Sequence, residues 1–133
     1  MDQVKMTELI KKNRLQLKQM TAKYHRMKGA ESGIKILVKQ TLEITGWFVF
    51  PILQGLGCYP GIADFIAVRC GRTVYIETKS KDGKQRPAQI IFQKLVESHG
   101  GEYWLIDCFE DIIKMIGDPI EVTRQNWIEI KSS

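Results

Sequence analysis

The apolar positions of the chain recur first at helical and then at strand spacing. Residues 3–28 contain neither Pro nor Gly, and seven positions in this segment, mostly apolar, follow one another at alternating steps of four and three. This spacing puts them in one line, or seam, along a helix and predicts one long helix. A second helix is expected over 30–45, where Gly46 is placed to end it. The seam of the first helix comprises Met6, Ile10, Asn13, Leu17, Met20, Tyr24 and Met27, and the inner face of the second comprises Ile34, Leu37, Val38, Thr41, Leu42 and Thr45.

Shorter apolar runs follow, bounded by Gly and Pro. They predict a strand at 46–52, a hairpin of two strands that turns at Gly71, and a fourth strand at 102–107. Pro87 opens a helix between the third and fourth strands, because its missing N–H costs nothing in a first turn. Residues 119–130 fit either a small hairpin or an extended arm. The apolar face of the Pro87 helix comprises Ile91, Phe92, Leu95 and Val96, the hairpin strands span 62–70 and 72–79, and a last helix spans 107–117.

Length and composition fit one intracellular, cytoplasmic α/β domain. The 133 residues, 44% hydrophobic and 26% charged, can bury a core but are too few for two ordinary domains. The longest apolar stretch, 44–53, is about half as long as a membrane span, and the N-terminus lacks a signal-peptide core. The three cysteines have no C-x-x-C spacing, so we expect reduced, partly buried thiols and not a zinc site.

The positive charge is concentrated in residues 1–28. This segment holds eight Lys or Arg against two acids, while the net charge of the whole chain is +5, so the remainder is close to neutral. We therefore divide the chain into a basic N-terminal helical arm, 1–28, and a domain, 29–133. A basic arm without a bulky insertion face indicates a polyanionic partner, nucleic acid before a membrane, although a solvated helix face explains the charge equally well.

Three ionic residues interrupt the hairpin strands. Glu77 and Lys79 share one strand face, because side chains alternate. A two-residue turn at Cys70–Gly71 would place Asp64 directly across from Glu77, and two facing carboxylates repel each other unless a cation offsets them. Two carboxylates, the backbone carbonyl of Thr78 and water form a ligand set that suits Mg²⁺ or Mn²⁺. Lys79 could then orient an activated water or offset charge on a phosphate.

The residues around this cluster predict a cleft for a phosphodiester. Gly61 leaves room for a phosphate backbone, and the loop before Pro87 adds the cations of Lys81, Lys84 and Arg86. Gln89 lies in the first turn of the following helix, where it can donate to a phosphate oxygen or hold a water.

Each of these residues also has a structural explanation. Glu77 and Lys79 fit the wet face of an amphipathic strand, and Asp64 fits a strand-edge acid. The combination, in order and on the expected elements, is what favours a catalytic site over a coincidence.

The succession G-x-x-D, hairpin, I-E-x-K, basic loop and helix-borne Gln resembles the PD-(D/E)XK nuclease core, and more narrowly the VRR-NUC domains related to Holliday-junction resolvases. The resemblance covers about residues 30–107 and implies an α-β-β-β-α-β order with a mixed sheet flanked by helices. It implies that Asp64, Glu77 and the Thr78 carbonyl ligate the metal. It also implies that Lys79 is the catalytic lysine and that Gln89 is the family's glutamine.

Two further positions bear on the resemblance. Family members tend to carry an acid on the helix before the first strand, for which Glu31 is the candidate as an additional metal ligand. The family usually has Pro immediately before the aspartate, whereas this chain has Ala63. Pro contributes rigidity there and no ligand, so the departure does not exclude activity.

The resemblance implies a Mg²⁺-dependent endonuclease that acts as a homodimer on branched DNA such as four-way junctions, and a phage gene in a bacterial host fits it. The basic arm, with Lys11, Lys12 and Lys18 as DNA contacts, would serve dimer packing or grip a second duplex arm. Three alternatives stay open: a nuclease on ordinary duplex or flapped DNA, an inactive DNA-binding module, and a structural protein whose ionic cluster is a solvated sheet face.

Overall fold

The computed structural model describes residues 31–80 and 82–116, together with positions 4–5, 7–8, 11–12, 15–16 and 18–19. These N-terminal positions are helical. The predicted seam residues of the arm and the predicted hairpin or arm at 119–130 lie outside the described residues. Within the described part, no helix is both long and apolar enough to cross a bilayer.

The elements follow the predicted order, and their ends lie within three residues of the expected ones. Gly46 has φ +91° and its N–H donates to the Glu43 carbonyl, which ends the helix that begins at Glu31, as expected. The elements are helix α1 (Glu31–Ile44), strands β1 (Phe48–Pro51), β2 (Phe65–Arg69) and β3 (Arg72–Thr78), helix α2 (Pro87–Ser98), strand β4 (Glu102–Ile106) and helix α3 (Phe109–Ile116).

The four strands form one mixed sheet in the order β1-β2-β3-β4. β1, β2 and β3 are antiparallel neighbours, whereas β4 runs parallel to β3 because α2 carries the chain back across the sheet. Cys70 and Gly71 have φ values of 53° and 75°, as a tight hairpin with two left-handed turn residues requires. This turn sets the pairing of Phe65 with Ile76, which confirms the predicted register.

Helix α1 covers one face of the sheet with the six residues that its spacing predicted. All six are fully buried, and the four apolar ones pack on inward residues of all four strands together with Ile112 of α3. Thr45 is accommodated there because its hydroxyl donates to the Thr41 carbonyl at 2.8 Å. None of the three cysteines forms a disulfide; Cys58 and Cys108 are half-buried, and Cys70 is exposed, not partly buried as expected.

Helix α2 covers only part of the opposite face. Its residue Phe92 packs in a second cluster with Ala63 and Tyr103, and Gln89 is buried beside it. Ile91 and Leu95, expected on the inner face, are 57% and 39% exposed. The helix is rotated from the predicted orientation because the buried polar side chain of Gln89 occupies the place on the inner face that an apolar residue would otherwise take.

This orientation predicts very different losses of unfolding free energy for two neighbouring substitutions on α2. Phe92→Ala should lower the free energy of unfolding by about 3–5 kcal/mol, because it leaves a cavity under the helix. Ile91→Ala should change it by no more than about 0.5 kcal/mol, because that side chain is largely in solvent. Urea unfolding of both variants measures the difference, and equal losses would contradict the described orientation.

Candidate active site

Asp64 closes the end of the central hairpin. β2 begins one residue later, so the antiparallel pairing leaves the last residues of β3 without a β2 partner. The N–H and hydroxyl of Thr78 both donate to Asp64 Oδ2, at 2.9 and 2.7 Å. The Asp64 N–H donates to the Ile76 carbonyl, and its own carbonyl accepts from Ile52. The carboxylate therefore satisfies a backbone donor that would otherwise be unpaired at this strand end.

The Asp64 carboxylate turns toward α1. Its Oδ1 lies 3.6 Å from Lys35 Nζ, and its side chain is only 12% exposed. Thr78 is on the α1 face of β3, whereas Glu77 is on the α2 face, because adjacent strand residues alternate. The register that pairs Phe65 with Ile76 sets Asp64 across from Glu77, as predicted, while the Asp64 carboxylate bonds to Thr78 and lies near Lys35 of α1.

Glu77 and Lys79 are buried together. Glu77 is 1% exposed and Lys79 is 9% exposed, and Lys79 Nζ lies 3.7 Å from Glu77 Oε1. Ions are rarely buried without specific partners, because each loses several kcal/mol of hydration. These exposures contradict the alternative in which the cluster is a solvated sheet face.

Gln89 holds the Glu77 carboxylate in place. Its Nε2 donates to Glu77 Oε1 at 3.0 Å, and its Oε1 accepts from the Arg86 N–H at 2.8 Å. A backbone N–H can only donate, so this second bond fixes which end of the amide faces the carboxylate. We expected Gln89 to meet a phosphate or a water; in the structure it joins the first turn of α2 to the acid.

Gly61 allows α2 to approach the loop that precedes β2. Its φ is +75°, and a Cβ added there would overlap the Ala88 carbonyl and lie 2.7 Å from the backbone nitrogen of Gln89. The close approach that requires a glycine is thus made by the backbone of α2, whereas the sequence suggested a phosphate. Gly61 acts on the site indirectly, by letting Gln89 reach Glu77.

Tyr103 on β4 lies within the fields of both acids. Burial raises the pKa of its hydroxyl most, and the charges of Glu77 and Asp64 raise that pKa further, despite a hydrogen bond from Gln85 that lowers it. The hydroxyl therefore stays protonated at neutral pH. Parallel pairing of Tyr103 with Tyr75 places the ring beside the strand that carries Glu77.

The remaining predicted residues are placed less closely. Glu31 begins α1, and its side chain, like all of Lys81, lies outside the described residues. Lys84 and Arg86 are exposed in the segment that leads to α2. On the arm, Lys11, Lys12 and Lys18 are also exposed.

Sequence reasoning missed Lys35, the Thr78 hydroxyl and Tyr103. Lys35 lies one helical turn after Glu31 at the edge of the buried stripe, a spacing that could have indicated a side chain reaching the same site. No sequence signal marks Tyr103. It lies on β4, which pairs with β3 only after the α2 crossover, so local spacing does not show that it lies beside Tyr75.

A second group of candidate ligands lies after β4. Among the described residues, atoms of Asp107, Cys108 and Asp111 lie within 4.8 Å of one another. Burial raises the pKa of the Cys108 thiol to about 11, so sulfur is protonated at neutral pH. Burial, with the neighbouring Asp111, also raises the pKa of Asp107. This group is separate from the cluster formed by Asp64 and Glu77.

Comparison with solved structures supports the fold described above. A solved structure described as "VRR_NUC domain" is 22% identical in sequence, with a TM-score of 0.59, and the match covers 65% of this chain and 92% of that one. No protein-family model matches the chain, and no curated protein does. This likeness shows the fold: a mixed four-stranded sheet with flanking helices, consistent with the restriction-endonuclease-like fold. It is the fold of the matched VRR-NUC domain.

Substitution of two glycines with the same φ tests whether α2 packs directly against Gly61. Gly61 and Gly71 both have φ +75°, but only a Cβ at Gly61 meets other atoms. Gly71→Ala should cost about 1–2 kcal/mol of unfolding free energy from the left-handed backbone alone. Gly61→Ala should cost about 1–3 kcal/mol more, because α2 must move.

Thermal or urea unfolding of the two variants gives the difference. Equal destabilisation would mean that α2 does not rest on Gly61.

Proposed function

We propose that this protein is a metal-dependent endonuclease that hydrolyses DNA phosphodiester bonds at the end of β3. The observation that carries the proposal is the buried pair of Glu77 and Lys79, held by Gln89, in a chain with the VRR-NUC fold. A buried ion pair is weak as a stabilising device, because well-packed apolar residues usually do as well. Chemistry that needs both charges accounts for it better.

The residues present fit a hard divalent cation, Mg²⁺ with Mn²⁺ as a substitute. Asp64 and Glu77 supply carboxylate oxygens at one strand end, and the Thr78 carbonyl is the third proposed ligand, with Glu31 as a further candidate. Both acids are held by specific donors, which limits the reorganisation that binding requires. When bound, such a cation polarises a phosphoryl oxygen and makes water more acidic.

Lys79 is the proposed catalytic cation. Its ammonium is mostly buried and lies beside Glu77. Burial and this ion pair therefore restrict the position of the ammonium, although the lysine side chain is itself flexible. In that place it would offset the charge that develops on the reacting phosphate, and in a dry site such a contact is stronger than it is in water.

The substrate is proposed to be branched DNA, cut by a homodimer. The exposed cations of Lys84 and Arg86 lie before α2, and those of Lys11, Lys12 and Lys18 lie on the arm, where both groups can contact phosphates. The preference for a junction rests on the resemblance to resolvases. Basic residues by themselves support any DNA backbone.

Cleavage of a labelled four-way junction and of its matched linear duplex tests the reaction and the substrate separately. The wild-type protein should cut the junction with Mg²⁺ and not with EDTA. Lys79→Ala should lower the rate at least ~100-fold, the usual cost of removing a preorganised charge from a transition state. Lys39→Ala is the matched control, because Lys39 is half exposed on α1 and pairs with Glu43 at 3.9 Å.

Equal cutting of junction and duplex would keep the nuclease and reject the junction preference, and selective cutting of flaps would assign the repair-type alternative. Absence of cutting with both Mg²⁺ and Mn²⁺ would reject the enzyme in favour of an inactive DNA-binding module.

Lys35 should weaken metal binding in the free protein. Its ammonium lies 3.6 Å from Asp64 Oδ1 and would therefore repel a metal cation that binds to this oxygen. Lys35→Met should tighten Mg²⁺ binding at least about fivefold, the factor that ~1 kcal/mol of Coulomb repulsion in water corresponds to. Lys39→Met should leave it unchanged.

Isothermal titration of Mg²⁺ into the two variants without DNA measures the effect. Equal affinities would place the metal site away from Asp64 Oδ1.

A further inference from the structure

A pocket of about 490 Å³ opens on the α2 face of the sheet. Four of its seven lining residues carry rings, namely Tyr59, Tyr75, Phe92 and His99, and the other three are Leu95, Val96 and Gly101. Its size is within the range of small-ligand sites, and its lining is the mixture of apolar surface and few polar groups that such sites have.

The rings that contact Phe92 meet it at inclined angles, and none of them is stacked face to face on it. The Tyr59 and Phe92 centroids lie 5.9 Å apart with planes inclined by 51°, and Tyr75 meets Phe92 edge-on at 76°. His99 is fixed at the rim, since its Nδ1 lies 2.7 Å from the Leu95 carbonyl oxygen. Tyr59 is 53% exposed, so the pocket is open on that side.

The pocket is lined by residues that lie close in the chain to the candidate active site. Tyr75 lies on the same face of β3 as Glu77, two residues away, which is about 7 Å along a strand. Phe92 follows Gln89 by one turn of α2, and Tyr59 precedes Gly61 in the loop that rests on that helix. The elements that hold Glu77 therefore also form the pocket.

We propose that this pocket binds an unpaired nucleobase next to the phosphodiester that is cut, so that the site selects DNA in which a base is out of the helical stack. The proposal rests on the nuclease function proposed above. A phosphate beside Glu77 and Lys79 leaves the base of the neighbouring nucleotide within reach of Tyr75. A flat aromatic base stacks on ring faces, whereas its backbone is drawn by the exposed cations of Lys84 and Arg86.

An apolar side chain from a second copy of this protein is the competing occupant. The nucleobase is favoured because the pocket adjoins the carboxylate and cation that would contact a phosphodiester, and because rings outnumber aliphatic residues in its wall. A protein partner would need neither feature.

Binding of two bulged DNA duplexes by the full chain tests the proposal. One duplex carries an unpaired 2-aminopurine and the other an abasic residue at the same position, and both are bound by the Lys79→Ala variant with Ca²⁺ in place of Mg²⁺. Fluorescence anisotropy should show about tenfold tighter binding of the base-containing duplex, within the range that one base–aromatic stack provides. The emission of the 2-aminopurine should change on binding.

Variants of Tyr59 separate stacking from other contacts. Tyr59→Leu should abolish the preference for the base, and Tyr59→Phe should keep it, because the ring is retained without the hydroxyl. Leu56→Ala is the control, since Leu56 is fully exposed on the same loop and does not line the pocket. Tyr59 is half exposed, so circular dichroism should show each variant folded.

Equal affinity of the wild-type pocket for both duplexes would overturn the proposal, as would a Tyr59→Leu variant that weakens both equally. A change in sedimentation of Tyr59→Leu without DNA, with no base preference in the parent, would assign the pocket to a contact between copies. Failure of the nuclease proposal is distinguishable, because it appears as absence of cleavage by the wild type, whereas base preference is measured without cleavage.

Discussion

The carboxylate of Glu77 is buried at the end of β3, and the position of every other element of the candidate site can be related to it. Gln89 donates to it from α2, and Lys79, the residue directly after β3, lies beside it. A buried carboxylate is costly unless donors and cations compensate it, so these contacts are a condition of the fold as well as of any chemistry. The site is thus built into the core, and it does not lie on a mobile loop.

The contact of α2 with the loop before β2 links the position of Glu77 to that loop. Gly61 allows the helix backbone to lie against the loop, and Asp64, three residues later, fills the donor sites that the end of β3 leaves open. One short segment thus fixes both acids, Asp64 directly and Glu77 through Gln89. Lys35 reaches the same strand end from α1, on the other face of the sheet. The two helices therefore contact the two acids from opposite faces of the sheet, α1 with the Lys35 ammonium and α2 with the Gln89 amide.

Helix α2 presents two kinds of chemistry in successive turns. Its first turn holds the acid through Gln89, and its next turn presents Phe92 to an aromatic pocket. The rotation that buries Gln89 leaves Ile91 and Leu95 exposed. The helix therefore has less apolar contact with the sheet than its composition allows, and Leu95 becomes part of the pocket wall.

The sequence by itself determined the order of the elements, the buried face of α1 and the register of the hairpin. These depend on local spacing and on the turn at Cys70–Gly71, which are properties of contiguous residues. The tertiary structure alone decided the direction of the Asp64 carboxylate, the partners of Gln89 and the contribution of Lys35. Each of these depends on a group from a distant segment, and side-chain periodicity carries no information about which distant donor is nearest. The role of Gly61 shows the same limit: its sequence context indicates a close approach, but only packing shows that the approaching group is the backbone of α2.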